Sequence, residues 1–370
     1  MNSASENGTL VRRAGGIVLL SALLCCGCRQ QSNPVDSAGK SDAAEDLETV
    51  TVKTGIQFVD VTVDAGIEHT AVNGEVADGY TILESLGSGV AVMDITLDGR
   101  PDLFLPGGGT FSDDLTPVGT ACRVYIGKDG IAFDERSEAV GISSLGFYAH
   151  GAWTLDFNSD GFDDLCVTGY ADVALFRGQG DGTFRRLPLT CGLVSRESNT
   201  GIAVADVDGD GHVDIYVCRY VNWSPGNNGP CIIDGVREVC SPGSYDGVTD
   251  LLFKNEGDGT FTAAPQNCGI KPGGKGLAAM MADVDLDGDA DCCVANDATM
   301  NRLYLNDGHG RFTENGITAG VAFGDGISAD GSMGIDVGDT NNDSLPDLWV
   351  CNFENQAFAL YRNFGNGFWE

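Results

Sequence analysis

The sequence predicts an all-β chain, a β-propeller of four-stranded blades, and three observations predict it. A nine-residue acidic loop recurs five times. Each copy lies between two short apolar runs. A glycine-rich turn closing on an aromatic residue follows each copy. One repeat therefore reads strand, acidic loop, strand, connection, strand, tight turn, strand. Four antiparallel strands at a period of about fifty residues mark a propeller blade. A linear β-solenoid would have shorter repeats without paired hairpin turns.

The first element is a targeting segment, residues 1–28. Arg12 and Arg13 precede the apolar run AGGIVLLSALL (14–24), which is too short for a stable membrane anchor. The CCGC that follows resembles a bacterial lipoprotein signal, cut after Gly27 with lipid on Cys28. Cys25 stands where such signals usually carry Leu, so Cys26 is a rival site, and ordinary secretory cleavage is the alternative. Residues 29–55 are polar and aperiodic and read as a disordered tether. The repeats fill 56–370.

The acidic loops are DITLDGRPD (94–102), DFNSDGFDD (156–164), DVDGDGHVD (206–214), DVDLDGDAD (283–291) and DTNNDSLPD (339–347). Small apolar runs such as TGIAVAD and GLAAMMAD precede them, as expected of innermost strands crowded near an axis. Short strands follow: DLFL, DLCV, DIYV, DCCV and DLWV. The turns are clearest in LLFKNEGDGTF and RLYLNDGHGRF, with Trp369 in the aromatic place of the last. A signature AVGI, TCGL, NCGI or TAGV comes next. The piece IQFVDVTVDAGIEHT (56–70) matches that late part of a repeat. It suggests a ring whose last blade is completed by an N-terminal strand, or a truncated form of a longer, seven-bladed ring.

Alternating acids repel unless something cancels their charge. A hard divalent cation takes six to eight oxygens at about 2.3–2.6 Å. Positions 1, 3 and 5 of a curling loop turn toward one centre, and position 6 makes the sharp turn. Position 7 contributes a backbone carbonyl, and position 9 a final carboxylate. The expected ligands are Asp94, Thr96, Asp98, Arg100 and Asp102; Asp156, Asn158, Asp160, Phe162 and Asp164; Asp206, Asp208, Asp210, His212 and Asp214; Asp283, Asp285, Asp287, Asp289 and Asp291; and Asp339, Asn341, Asp343, Leu345 and Asp347. Arg100, Phe162, His212, Asp289 and Leu345 would act by carbonyl, leaving their side chains free to vary. An EF-hand needs Glu twelve residues from the loop start, where Val217 stands in the third copy. Zinc would want Cys or His, and magnesium keeps its waters. Up to five calcium ions are the expectation, weakest at the first loop, with Thr96, and the fifth, with Asn341 and Ser344.

An insertion, 219–247, interrupts the third repeat and carries Cys231 and Cys240, close enough to staple a small loop. Other cysteines, as in DLCV, DCCV and WVC, read as small buried thiols. The formal net charge of −33 argues against nucleic acid and for cations.

At these residues the chain resembles FG-GAP/VCBS repeat proteins and, within them, the ASPIC/UnbV (cartilage acidic protein-like) group. ESLGSGVAVMD, CSPGSYDG, VANDATMNRLYLNDG, GSMGIDVGD and CNFENQAFALYRN carry the likeness. The resemblance implies a calcium-binding propeller, usually with more repeats and a C-terminal domain. The expected function is an exported, monomeric binding or adhesion module for a periplasmic or extracellular protein or glycan, touching membrane only through lipid. Trp223 and Tyr245 of the insertion are candidates for stacking on a glycan, or for packing the insertion onto the ring. The alternative is a calcium-dependent, lyase-like polysaccharide enzyme. It needs a base in a cleft, and His69, His150, His212 and His309 are each isolated in sequence.

Overall fold

A computed structural model of the chain describes residues 58–324, 326, 328–365 and 367–370. The targeting segment, Cys28 and the tether 29–55 lie outside the described residues. Five antiparallel sheets follow one another. The first holds Ala91–Met93, Asp102–Leu105, Arg123–Gly127 and Phe133–Glu135. The second holds Ala149–Leu155, Asp164–Gly169, Asp172–Gly178 and Phe184–Arg186. The third holds Asn199–Ala205, Asp214–Arg219, Leu251–Asn255 and Phe261–Ala263, and the fourth Gly276–Ala282, Asp291–Asn296, Arg302–Asn306 and Phe312–Glu314. The fifth has Ser332–Gly338, Asp347–Asn352 and Ala359–Tyr361, with a bridge from Asn363 to Trp369 in the outer place. The first strands of successive sheets lie side by side, so the sheets are the five blades of a β-propeller.

Strand alternation makes each blade apolar on both faces. In the third blade Ile215, Val217 and Phe253 face the second, while Tyr216, Cys218 and Leu252 face the fourth. Four such layers join the blades in pairs from first to fifth. Thiols fill part of these layers, and burial pushes Cys122 up to about 11 and Cys166 up to about 12. Small residues line the inner strands because there is no room for more. A Cβ at Gly201 would lie 2.7 Å from the Leu277 carbonyl oxygen.

The late-repeat signature seats against the outer strand of the next blade. Gly192 and Gly269 turn there with positive φ, and a Cβ on Gly269 would meet the Phe312 oxygen at 1.8 Å. The N-terminal piece does the same for the first blade. Phe133 N–H donates to Ala65 O at 2.8 Å, as Trp369 N–H donates to Ala319 O at 2.7 Å. Among the described residues this piece gives no strand to the fifth blade, whose outer place belongs to Trp369.

The ninth loop residue rivets each blade. Asp102, Asp164, Asp214, Asp291 and Asp347 are at most 1% exposed. In each, one carboxylate oxygen accepts the N–H of loop position 2 and the other an N–H at the end of the third strand. For Asp214 these donors are Val207 and Asn255, at 3.1 and 2.8 Å. For Asp164 they are Phe157 and Gly178, and for Asp291 they are Val284 and Asn306. Burial raises Asp214 to about 6 against these donors. The same third-strand asparagines reach back one blade. Asn255, Asn306 and Asn363 donate from Nδ2 to the carbonyls of Phe157, Val207 and Val284, at 2.7, 2.9 and 2.8 Å. The first and second blades are joined by Asp94 N–H on Asp163, at 2.7 Å.

Two predictions follow from burial. In chelator, Asp214→Asn removes one acceptor from a buried N–H and lowers unfolding free energy by about 1–3 kcal/mol. Asp210→Asn, in the exposed loop, costs less; urea melts of both variants check the order. His150 is buried, with neither ring nitrogen hydrogen-bonded, and burial pulls it down to about 4. The unfolded chain takes up that proton below its ordinary 6.5. Stability therefore falls by about 3 kcal/mol as pH drops from 6.5 toward 4, and this contribution is flat above. His150→Phe should remove that slope from the difference between the two proteins' stability–pH profiles.

Candidate metal centre

Each acidic loop winds around the carboxylate at position 1. That carboxylate accepts the N–H groups of positions 5 and 6. In the third loop Asp210 and Gly211 donate to Asp206 at 3.2 and 2.8 Å. The same pair of bonds falls on Asp94, Asp156, Asp283 and Asp339. Position 5 then accepts the N–H of position 7, as His212 donates to Asp210 at 2.9 Å. Asp98, Asp160, Asp287 and Asp343 repeat it. The backbone thus holds three side chains on one side of a tight curl.

In the third and fourth loops the carboxylates converge. Oxygens of Asp206, Asp208 and Asp210 lie within 4.8 Å of one another, as do those of Asp283, Asp285 and Asp287. Asp208 Oδ1 is enclosed and accepts no hydrogen bond. An anionic oxygen in that state is costly unless a cation meets it. Burial and the charge of Asp287 push Asp285 above the usual carboxylate range. The carbonyls of Arg100, Phe162, His212, Asp289 and Leu345 accept no hydrogen bond among the described residues, so their lone pairs are available. The donor set is all oxygen, which fits a hard cation and not zinc. The first, second and fifth loops have the same backbone frame around Thr96, Asn158 and Asn341.

Three features go beyond the sequence reading. The ninth carboxylates, expected as ligands, each accept two backbone N–H groups, and their remaining lone pairs stay open to an ion. Cations also approach the loops: Lys254 meets Asp208 at 2.6 Å, Arg177 meets Asp160 at 2.8 Å, and Arg100 meets Asp98 at 2.6 Å. Finally, the seventh side chain is not free. A Cβ at the first turn glycine would strike Phe162 from Gly180, His212 from Gly257 and Asp289 from Gly308, at 2.3–2.6 Å. Arg100 reaches Asp129 of its turn at 2.6 Å. Each acidic loop is therefore packed on its own glycine turn, on the same edge of the blade.

The insertion lies at the other end of the strands. Cys231 and Cys240 are joined, under the hairpin Cys231–Ile233 and Val236–Glu238. Trp223 and Tyr245 are buried, not exposed: they pack with Phe111, Tyr148 and Tyr220. Asn228 and Arg237 both donate to Gly79 O, at 2.9 and 3.1 Å. Of the histidines, His212 lies on the loop edge, His309 is exposed in a turn, and His69 bonds to Pro106 O. Among the described residues, neither converged acid group includes a histidine.

No curated protein sequence matches the chain. Among solved structures, it is similar to a lectin from Agrocybe aegerita that recognises non-reducing terminal N-acetylglucosamine. That likeness has 18% identity and a TM-score of 0.45, over 75% of this chain and 64% of the lectin. It is also similar to an ancestral GH74 enzyme, with 10% identity and a TM-score of 0.45, over 76% of this chain and 34% of the enzyme. The chain spans under two thirds of either. The FG-GAP-like repeat family model matches residues 156–217 and 283–350, each stretch running from one acidic loop through the next. The chain carries FG-GAP-like repeats at these two segments.

Proposed function

We propose that the chain is an exported calcium-binding propeller of the ASPIC/UnbV type, acting as a non-catalytic binding or adhesion module. In this reading lipid on Cys28 holds it to a bacterial membrane or surface. One observation carries the metal: carboxylate triads converge in the third and fourth loops, and Asp208 Oδ1 accepts no hydrogen bond, Lys254 standing on Oδ2. Calcium supplies the missing positive charge. Asp206, Asp208, Asp210, the His212 carbonyl and Asp214 hold one ion, and Asp283, Asp285, Asp287, the Asp289 carbonyl and Asp291 another. The first, second and fifth loops take further ions more weakly, with a neutral side chain at position 3. The role of these ions is stability.

The binding face is the end opposite the loops. The stapled hairpin exposes Ile232, Ile233 and Val236 there, above an aromatic base that fixes it. Such a rigid apolar tip supports contact with a protein or a glycan. The alternative, a calcium-dependent lyase-like enzyme, would need a base beside a substrate cleft.

A calcium titration followed by thermal melting tests the metal. A site with a Kd near 10 µM in about 1 mM calcium adds roughly 2.7 kcal/mol. Chelator should lower the melting temperature and calcium restore it; no shift would remove the metal assignment. Asp208→Ala should shrink the calcium-dependent shift more than Thr96→Ala. Glycan and protein arrays test the partner, and turnover of a uronic polysaccharide would replace binding with catalysis.

A further inference from the structure

The third and fourth loops offer the same donors: three converged carboxylates, a position-7 carbonyl and a buried ninth carboxylate. Their neighbours differ at one place in the third strand. Lys254 stands one residue before Asn255, opposite Thr262, and Leu305 stands one residue before Asn306, opposite Thr313. Asp214 and Asp291 hold the N–H groups of those asparagines at 2.8 and 2.9 Å. Both places are therefore fixed in the same register against their loops. Leu305 packs on the apolar layer between the fourth and fifth blades.

Lys254 instead puts Nζ on Asp208 Oδ2 at 2.6 Å. Its stem is gripped as well. A Cβ on Gly310, in the turn of the fourth blade, would lie 3.1 Å from Lys254 Cε and 3.2 Å from Nζ, and Gly310 N–H donates to Val207 O at 2.9 Å. The half-buried ammonium is thus seated between the third loop and the next blade's turn. Asp208 Oδ1 accepts no hydrogen bond and is the oxygen left for an ion, which would share one carboxylate with a positive charge. Arg177 holds the same place in the second blade, one residue before Gly178, and meets Asp160 at 2.8 Å. Among the described residues no basic side chain pairs with Asp283, Asp285 or Asp287.

We propose that this third-strand residue sets how tightly its loop takes calcium: Lys254 is a built-in counter-ion that weakens the third site, and Leu305 leaves the fourth the tighter. The proposal rests on the calcium reading above and adds an order of filling to it. In the third loop the ammonium relieves the repulsion among Asp206, Asp208 and Asp210 when calcium is scarce, and opposes the ion when it arrives. In the fourth loop no such charge competes. The fourth site therefore fills first, as a fixed support, and the third fills over a higher calcium range. Asp289 adds a further negative charge beside the fourth loop, where the third has His212. A change at 254 or 305 leaves that difference untouched.

Hydrogen exchange of the full chain, followed by mass spectrometry across a calcium titration, reads the two loops separately through peptides covering 206–214 and 283–291. Protection of 283–291 is expected at the lower calcium concentration. Lys254→Met keeps an unbranched stem against Gly310 and removes the charge. It should lower the 206–214 midpoint about fivefold and leave that of 283–291 in place. Leu305→Lys should raise the 283–291 midpoint by a similar factor. In chelator, Lys254→Met should melt below the wild type, and a variant that melts no lower overturns the counter-ion role. Protection of 206–214 at the lower concentration also overturns the proposal, as does a midpoint there that Lys254→Met leaves unchanged. Cooperative melting checks that each variant folds, and Lys254→Met carries the test by itself if Leu305→Lys does not. The absence of calcium-dependent protection in either loop removes the calcium reading itself, and the proposal with it.

Discussion

Each blade depends on one buried carboxylate whose two oxygens accept two backbone N–H groups. Asp214 and its four counterparts fasten the start of the acidic loop to the end of the third strand. That bond fixes how the first hairpin lies on the second. In the third, fourth and fifth blades the asparagine whose N–H it holds then passes the constraint to the preceding blade through a carbonyl of that blade's loop. A chain of hydrogen bonds therefore runs from blade to blade beneath the apolar layers. Apolar layers alone tolerate sliding; directional bonds at one edge fix the register.

The same arrangement decides what the acidic loops can do. Positions 1 and 5 spend oxygens on N–H groups, which curl the loop and hold its carboxylates together against their repulsion. The ninth carboxylate is buried at the inner side of the loop, where its two N–H donors fix it. The remaining concentration of charge is compensated in part by Lys254, Arg177 and Arg100, at the third, second and first loops. At the fourth loop, among the described residues, no basic side chain pairs with Asp283, Asp285 or Asp287. There a bound cation has the most charge left to cancel.

Much of this could be read in the sequence, because period and spacing are local. The five loops, their flanking strands and the glycine turns stand in the chain in the order the blades require. What escaped was the partnership of residues far apart. Asn255 looked like one letter of a turn motif, yet its side chain ends on Phe157, in another blade. Asp214 was legible as a loop acid but its hold on Val207 and Asn255 was not, because charge and spacing do not show burial. His212 looked indifferent, because its contact with Gly257 lies across the two hairpins. Trp223 and Tyr245 allowed two readings, glycan stacking or packing the insertion onto the ring, and only the fold decides for packing, because an insertion's composition does not show what it folds against.

The two ends of the blades divide the work between rigidity and variation. At the loop edge every repeat makes the same bonds, so a change in one loop meets a neighbour through an asparagine or through Asp163. At the other end the connections differ from blade to blade, and the third carries 219–247 without disturbing its sheet, whose register is kept by Tyr216 between Ala203 and Leu252. The insertion reaches Gly79, in the segment before the first blade, and packs on Tyr148 of the second. It therefore braces the first three blades on the side where no acidic loop can. Among the described residues, the apolar layer and the Asn363 bond to Val284 fasten the fifth blade to the fourth, repeating the contact that joins the earlier pairs.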